Sequence, residues 1–147
     1  MSLALDANVL LYASDAGNPH HTVARAFLEA CIGGDEIIYL AWPTLMAYLR
    51  IATHPGVFDQ PLTHEEASAN VEALLRCPHV RILAEAEGFW AVYRATTAAV
   101  PTRGNLVPDA HLASLLRQHG VRAICTHDRD FRKFDFLRVA DPFAATR

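Results

Sequence analysis

Lysine is nearly absent from this sequence, since Lys133 stands alone beside twelve arginines. The net charge is −3, so the chain as a whole carries no positive field that would attract nucleic acid. Arginine binds phosphate through a planar fork of donors, and its excess therefore fits an RNA-binding protein. A genome rich in G and C accounts for the same excess, and the composition alone leaves both explanations open.

Long apolar runs and paired cysteines are missing as well. Asp6 interrupts the apolar N-terminal stretch, which no basic segment precedes, so residues 1–15 predict neither a signal peptide nor a membrane span. The three cysteines, Cys31, Cys77 and Cys125, are odd in number and form no C-x-x-C pair. They are typical of free, buried thiols in a reducing compartment, and we expect a cytoplasmic protein without a membrane partner.

No repeat, low-complexity tract or Gly/Ser-rich linker divides the 147 residues, of which 52% are hydrophobic. We therefore expect a single domain over residues 1–147. Short apolar strands alternate with amphipathic helices, which predicts an α/β fold: a three-layer sandwich with a central parallel sheet flanked by helices. Thr63 and Glu66 predict a capping box at the start of one helix. The predicted strands cover 3–5, 36–40, 80–83, 123–126 and 137–139, and the predicted helices 20–31, 43–53, 63–76, a segment around 89–93, and 109–119.

Three acids occupy positions where parallel α/β sheets bind ligands, beyond the carboxyl ends of the strands. Asp6 ends the first strand, Asp128 follows the fourth, and Asp109 begins the helix before the fourth. Two carboxylates about 4 Å apart repel each other by roughly 4 kcal/mol at an effective dielectric constant near 20. A site that gathers three of them raises their pKa values or holds a cation. Oxygen-only ligands favour Mg²⁺ or Mn²⁺, ions that activate water for phosphodiester hydrolysis.

Each acid taken singly also has a structural explanation. Asp6 suits an Asx-turn at a strand end, and Asp109 suits the N-cap of its helix. Either Asp128 or Asp130 suits the cap of the turn before Phe131, and the place of Asp130 beside Phe131 favours Asp130 as the cap over a role as a stand-in ligand. The three positions together, each at the same predicted edge of the sheet, favour a functional site over three independent caps.

Three motifs resemble those of PIN domains, in the same order and at the expected intervals. Asp6-Ala7-Asn8-Val9-Leu10 resembles the family's D-x-N-V-L opening, and residues 109–113 resemble its D-A-x-L-A segment. Residues 126–131 match its T-x-D-x-D-F segment. The resemblance spans nearly the whole chain and implies the PIN-like sandwich of a metal-dependent nuclease.

The stretch 49–55, followed by Val57-Phe58 and residues 61–63, resembles VapC toxins in particular. That resemblance implies a Mg²⁺-dependent endoribonuclease, with Mn²⁺ as a possible substitute, that forms a homodimer and is inhibited by a VapB-like antitoxin. It implies Asp6 and Asp109 as the principal metal ligands, with Asp128 completing the catalytic acids. The residues that would support them by hydrogen bonds or added charge are Asn8, Thr126 and Asp130.

One acid of the PIN pattern is missing. PIN domains usually carry a glutamate on the helix after the second strand, and here no acid occurs between Glu36 and Asp59. Ala47 occupies the position that best corresponds to this glutamate. A non-catalytic PIN-like module, binding RNA or protein through a degenerate acidic site, is therefore the alternative hypothesis. Metal-dependent cleavage of RNA would separate the two.

The basic residues near the motifs are candidates for phosphate contacts. Lys133 lies past Phe131 in a charged turn, which excludes a phospho-receiver domain, because that chemistry needs a lysine at a strand end. The candidates for RNA binding are Arg103, Arg129, Arg132 and Lys133, and a solvated charged surface explains them almost equally well. His111 and His127 flank the acids and are candidates for substrate contact.

Surplus apolar residues predict self-association. The helices predicted at 43–53 and 63–76 carry more apolar residues than one inward stripe requires. The residues concerned are Met46, Tyr48, Val71 and Leu75. We expect them to form a dimer face.

Overall fold

The computed structural model describes residues 2–144, and within them five strands form one parallel sheet. The strands are β1 (Leu3–Leu5), β2 (Ile38–Ala41), β3 (Val80–Leu83), β4 (Ala123–Cys125) and β5 (Arg138–Ala140). Their spatial order is β3-β2-β1-β4-β5, and every neighbouring pair is parallel. The prediction of an α/β fold with a central parallel sheet is confirmed. Its bounds shift slightly, since β2 begins at Ile38 rather than at residue 36.

Helices cover both faces of this sheet. They are α1 (Ala7–Ser14), α2 (His21–Gly33), α3 (Trp42–Ala52), α4 (His64–Leu75), α5 (Phe89–Thr97) and α6 (Leu106–Gln118), and a 3₁₀ helix covers Arg129–Lys133. Leu5 and Cys125 pack with residues of α1, α3 and α4, whereas Ala4 and Ile124 pack with α6 and the 3₁₀ helix. Successive residues of β1 and β4 thus enter opposite cores, which explains why these two central strands are apolar throughout.

Helix α1 was not predicted from the sequence, because no loop separates it from β1. Asp6 follows the last strand residue directly and is itself the N-cap of the helix, accepting a hydrogen bond from the Ala7 amide at 2.7 Å. The predicted capping box of α4 is confirmed: Thr63 Oγ1 accepts from the Glu66 amide, and Glu66 Oε1 accepts from the Thr63 amide.

Helix α6 begins earlier than predicted, at Leu106 rather than at Asp109. Asn105 occupies its N-cap position, and Pro108 fits in the first turn because the amides there have no partner within the helix. The alternative interpretation of Asp109 as an N-cap is therefore wrong. Asp109 lies in the first turn, where its side chain is available to the site.

Of the four residues predicted to form a dimer face, two are exposed, and the dimer itself stays a prediction. Met46 and Leu75 are exposed, but Tyr48 and Val71 belong to the core. The Tyr48 ring is buried because α1 and α4 supply partners for its hydroxyl, Ser14 at 2.7 Å and Asn70 at 2.9 Å. All three cysteines are free, as expected, but only Cys125 is buried, whereas Cys31 and Cys77 are partly exposed. Along residues 2–144, no helix combines the length and the apolar character needed to cross a membrane.

Candidate active site

The predicted acids lie at the carboxyl edge of the sheet. Asp6 follows β1, and Asp128 lies beyond β4, the neighbour of β1 in the sheet. Helix α6 runs back toward the start of β4, so its first turn, with Asp109, lies at the same edge. The order of the strands thus brings together acids from opposite ends of the sequence.

A hydrogen-bond network fixes the Asp6 carboxylate. Its Oδ1 accepts from the Ala7 amide, and its Oδ2 accepts from the Thr126 hydroxyl at 2.7 Å and from Asn8 Nδ2 at 3.4 Å. Asn8 Nδ2 also donates to Thr126 Oγ1 at 3.0 Å, and Asn8 Oδ1 accepts from the His127 amide at 3.3 Å. Asn8 and Thr126 therefore contact Asp6 directly. Their importance for activity stays a prediction.

The segment after β4 holds two further acids. Thr126 Oγ1 accepts from the Asp128 amide at 3.0 Å, and Asp128 Oδ1 accepts from the Asp130 amide at 2.9 Å. The cap of the 3₁₀ helix is therefore Asp128, and the preference for Asp130 as the cap is wrong. The Asp130 carboxylate is left to interact elsewhere.

Oxygens of Asp109, Asp128 and Asp130 converge. One carboxylate oxygen from each lies within 4.8 Å of the others, and all three side chains are half-buried. Among the described residues, these three acids form the one group compact enough to hold a metal ion. Asp6 is linked to this group through the Thr126 hydroxyl, which donates a hydrogen bond to Asp6. The structure thus brings Asp109 and Asp128 together and adds Asp130, for which the sequence suggested only a supporting place. We call these four acids the acidic pocket.

The acidic pocket is electrostatically strained without a cation. The pKa of Asp109 is raised to about 7, chiefly by burial and then by the negative charges of Asp128, Asp6 and Asp130. The ammonium group of Lys133 opposes this rise. Burial also raises the pKa of Asp6, against the hydrogen bonds that it accepts. A bound cation would relieve this repulsion, and the all-carboxylate donor set fits a hard divalent ion.

Among the predicted phosphate-binding residues, Lys133 lies next to the acidic pocket. Its Nζ is 3.2 Å from Asp130 Oδ1. Arg103 lies in the exposed loop before α6, while Arg129 and Arg132 are exposed on the 3₁₀ helix. In the part of the chain that the structure describes, none of these three forms an ion pair with the pocket. Their contact with RNA stays a prediction.

The two candidate histidines bind acids outside the pocket. His127 Nδ1 lies 3.0 Å from Asp141 Oδ2, and the aromatic side chains around its ring are Tyr12, His20 and Phe143. His111 Nε2 forms a hydrogen bond with Glu85 in the loop before α5. Asp141 was not predicted as a site residue. It follows β5 directly, as Asp6 follows β1, and this position at a strand end is the signal that would have identified it.

Helix α3 begins where β2 ends, at the same edge as the acidic pocket. It carries no acid, and Ala47 is half-buried in its middle. In its first turn Thr44 is buried, and its hydroxyl has no hydrogen-bond partner among the described residues. The charge that a glutamate would supply from this helix is therefore absent, while Asp130 brings another from the 3₁₀ helix.

Comparison with known proteins identifies close relatives along the whole chain. The family model described as PIN domain matches residues 3–137. The chain is 46% identical over 144 residues to Ribonuclease VapC48 of Mycobacterium tuberculosis, and the match covers 98% of this chain and 99% of that protein. It is 34% identical over 138 residues to Ribonuclease VapC37 of the same species, with 94% and 95% covered.

Solved structures share the fold at lower identity. VapBC2 from Rickettsia felis, bound to a promoter DNA fragment, matches with a TM-score of 0.67 and 17% identity over 96% of this chain and 98% of that chain. VapC20 of Mycobacterium tuberculosis, described as a toxin that cleaves the sarcin-ricin loop, matches with a TM-score of 0.66 and 15% identity, covering 88% and 92%. These two likenesses concern the arrangement of the sheet and helices.

Proposed function

The chain belongs to the PIN-domain family, as one of its VapC-type ribonucleases, and on that premise we propose that it hydrolyses RNA phosphodiester bonds at the acidic pocket with Mg²⁺ as its ion. One observation carries the proposal: the carboxylates of Asp109, Asp128 and Asp130 converge within 4.8 Å. Burial, followed by the negative charges of the neighbouring acids, raises the pKa of Asp109 to about 7. Such an arrangement costs stability unless a cation occupies it.

The pocket residues divide into ligands and supports. Asp109 and Asp128 would hold the ion together with Asp6, whose negative charge acts on Asp109. Asp130 would add the charge that α3 does not provide. A divalent ion, when bound, polarises a phosphoryl oxygen and lowers the pKa of a water molecule. Since Mg²⁺ keeps several waters and needs only one or two carboxylates besides substrate phosphate, this set is sufficient without an acid on α3.

The neighbouring residues prepare the pocket for the substrate. Thr126 and Asn8 hold the Asp6 carboxylate in one orientation, so its position requires no rearrangement when the substrate arrives. The half-buried setting lowers the local dielectric and strengthens every charge interaction there. Lys133, beside Asp130, offers a positive charge to a phosphate that approaches this side of the pocket.

Two partners follow from the same premise. Solved structures with this fold include VapBC complexes, and we infer that this chain is likewise held inactive by a VapB-like antitoxin. We also infer a homodimer. Its support is the exposure of large apolar side chains on α3 and α5, namely Trp42, Met46 and Trp90. A monomeric mass in light scattering at micromolar concentration would contradict the dimer.

The enzymatic proposal is tested by cleavage of labelled single-stranded RNA in Mg²⁺, with and without a chelator. The parent protein should cleave only with the ion. Asp109→Asn should abolish cleavage because it keeps the shape of the side chain and removes its charge. Asp59→Asn is the matched control, since Asp59 is exposed and lies outside the acidic pocket. Cleavage in the chelator, or by Asp109→Asn at the parent's rate, would contradict the proposal.

A further inference from the structure

A cavity of about 530 Å³ opens between the C-terminal ends of α5 and α6 and the segment after the 3₁₀ helix. Its charged lining residues are Arg117, Arg122, Lys133 and Asp135, three cations against one acid. We call this cavity the basic groove. This local positive excess contrasts with the net charge of −3 of the whole chain.

Both arginines of the basic groove lack an acidic partner among the described residues. The Arg117 guanidinium lies 5.5 Å from the centroid of the Phe136 ring, a cation–π contact that holds it at the groove wall. Arg122 is exposed, and its carbonyl accepts a hydrogen bond from the Arg138 amide at 2.7 Å, which fixes its backbone. The Arg117 guanidinium is thus held at the groove wall, and among the described residues no acid neutralises either guanidinium, which leaves both available to bind phosphate.

Lys133 connects the basic groove with the acidic pocket. It lines the groove, and it also lines a smaller cavity formed with Ala99, Val100 and Pro101. Its Nζ lies 3.2 Å from Asp130 Oδ1 and its charge acts on Asp109. The basic surface therefore begins at the proposed site of hydrolysis and leads away from it along α6.

The dimensions suit a short piece of nucleic acid. Asp109 lies in the first turn of α6 and Arg117 in its last turn, about 12 Å apart at 1.5 Å per residue. For a strand with stacked bases, at a rise of about 3.4 Å per nucleotide as in a DNA duplex, this distance corresponds to roughly three or four nucleotides.

We propose that the basic groove binds the phosphates of the RNA strand on one side of the cleaved bond, a proposal that rests on the proposed function. Lys133 contacts the phosphate nearest the acidic pocket, and Arg117 and Arg122 contact phosphates farther along the strand. Because these side chains contact the phosphate backbone of the RNA, they determine its affinity and register rather than a preference for its base sequence. An acidic segment of a partner protein offers the same charge, but it would not need a path that starts at the acidic pocket.

The test measures RNA binding by fluorescence anisotropy in the uncleaving Asp109→Asn protein, with a mixed-sequence single-stranded RNA of about twenty nucleotides. The double substitution Arg117→Gln and Arg122→Gln should weaken binding about tenfold or more at ~0.1 M salt. It should also reduce the slope of log affinity against log salt by about 1.4, because each phosphate contact on a single strand contributes about 0.7. The matched control is Arg50→Gln with Arg76→Gln, which changes the net charge equally at exposed positions outside the groove.

A second variant guards against loss by misfolding. Asp135→Asn removes the acid of the groove and should tighten RNA binding, a gain that a damaged protein does not produce. Asp59→Asn, outside the groove, should leave binding unchanged.

Equal affinities and salt slopes for the groove variants and their controls would overturn the proposal and leave the proposed function standing. An Asp109→Asn protein that binds no RNA, with a parent that cleaves none, would overturn both. Weaker binding by the double variant together with tighter binding by Asp135→Asn would support the groove.

Discussion

Thr126 donates its hydroxyl hydrogen to Asp6 Oδ2 at 2.7 Å, joining residues 120 positions apart in the sequence. The same hydroxyl oxygen accepts from Asn8 Nδ2 and from the Asp128 amide, both at 3.0 Å. Thr126 is fully buried, so none of these groups can exchange this partner for water without moving. One hydroxyl thus links the end of β1 with the acids that follow β4.

The first prediction concerns Thr126→Val, which keeps the shape of the side chain and removes its hydroxyl. Asp6 loses a donor, and Asn8 and the Asp128 amide lose an acceptor. We expect the free energy of unfolding to fall by about 1–3 kcal/mol, because a buried polar group left without a partner costs that much. Urea unfolding in the presence of a chelator measures the change.

Thr44→Val is the matched control for this experiment. Thr44 is buried as well, but its hydroxyl has no hydrogen-bond partner among the described residues, so the same substitution removes a polar group and breaks no bond. Its effect should be neutral or stabilising. Equal losses of stability in the two valine variants would show that the Thr126 contacts contribute nothing of their own.

The second prediction concerns the pH dependence of the metal-free protein. The pKa of Asp109 is raised from 3.8 to about 7, so the folded state binds its proton more tightly than the unfolded state does. This contribution to stability is fully present below the unfolded pKa and is lost as the pH rises toward 7. The Asp109→Asn variant has no carboxylate to ionise, so its stability does not fall in this way as the pH rises. The variant should therefore become more stable than the parent as the pH rises, by roughly 1–2 kcal/mol above pH 7, a figure reduced for the half-exposed setting of the carboxylate.

Thermal unfolding in a chelator from about pH 4 to pH 8 measures this difference, the window in which the shifted carboxylate titrates. Asp59→Asn, at an exposed position, should follow the parent throughout. A constant difference between Asp109→Asn and the parent over the whole range would contradict the assigned cause. Added Mg²⁺ should reverse the order, since the ion stabilises only the protein that keeps the carboxylate.

The sheet and the acids could be predicted because both depend on local patterns. A buried parallel strand is a short apolar run, and a carboxylate at its end, as in Asp6 and Asp128, lies at a known edge whatever the rest of the fold does. The start of α6 could not be fixed in this way. Asp109 and Asn105 are both good N-cap residues, and only the packing of the helix on the sheet decides between them.

Contacts between segments that are distant in the sequence could not be predicted from local patterns. Asp130 follows Asp128 by two residues, and whether it caps a turn or joins the acidic pocket depends on the winding of the 3₁₀ helix. Tyr48 was expected at a dimer face because its helix carries more apolar residues than one inward stripe requires. In the core, Ser14 and Asn70 are the hydrogen-bond partners of the Tyr48 hydroxyl, and the sequence of α3 alone does not predict these contacts.

The third prediction separates the two roles of Lys133. In Lys133→Gln the positive charge beside Asp130 is lost, so a divalent ion should bind the acidic pocket about three to ten times more tightly, because like charges no longer repel. The pKa of Asp109 rises further in this variant, but the proton that competes carries one charge and the ion carries two. RNA should bind more weakly, since a phosphate contact is lost. Calorimetry with Mn²⁺ and anisotropy with RNA measure the two affinities.

Lys133→Arg keeps the charge and should resemble the parent in both measurements. Changes of the two affinities in the same direction in Lys133→Gln would contradict the separate roles, because a general loss of folding weakens both.

The fourth prediction concerns the acid that α3 lacks. Ala47→Glu should raise the affinity of the free protein for Mn²⁺ by roughly tenfold, because a further carboxylate at the edge where α3 begins attracts the ion. Met46→Glu is the matched control: it adds the same charge one residue away, at a position that is 50% exposed. It should change the affinity little. Calorimetric titration of Mn²⁺ into the three proteins compares them.

Asp130→Asn completes this experiment. If Asp130 supplies the charge that α3 does not, its loss should weaken Mn²⁺ binding by about the amount that Ala47→Glu adds to it. The combination of Ala47→Glu and Asp130→Asn should then bind with nearly the parent's affinity. If Ala47→Glu strengthens binding no more than Met46→Glu does, position 47 does not face the acidic pocket. If Asp130→Asn leaves the affinity unchanged, the convergence of its oxygen with those of Asp109 and Asp128 does not extend to the ion.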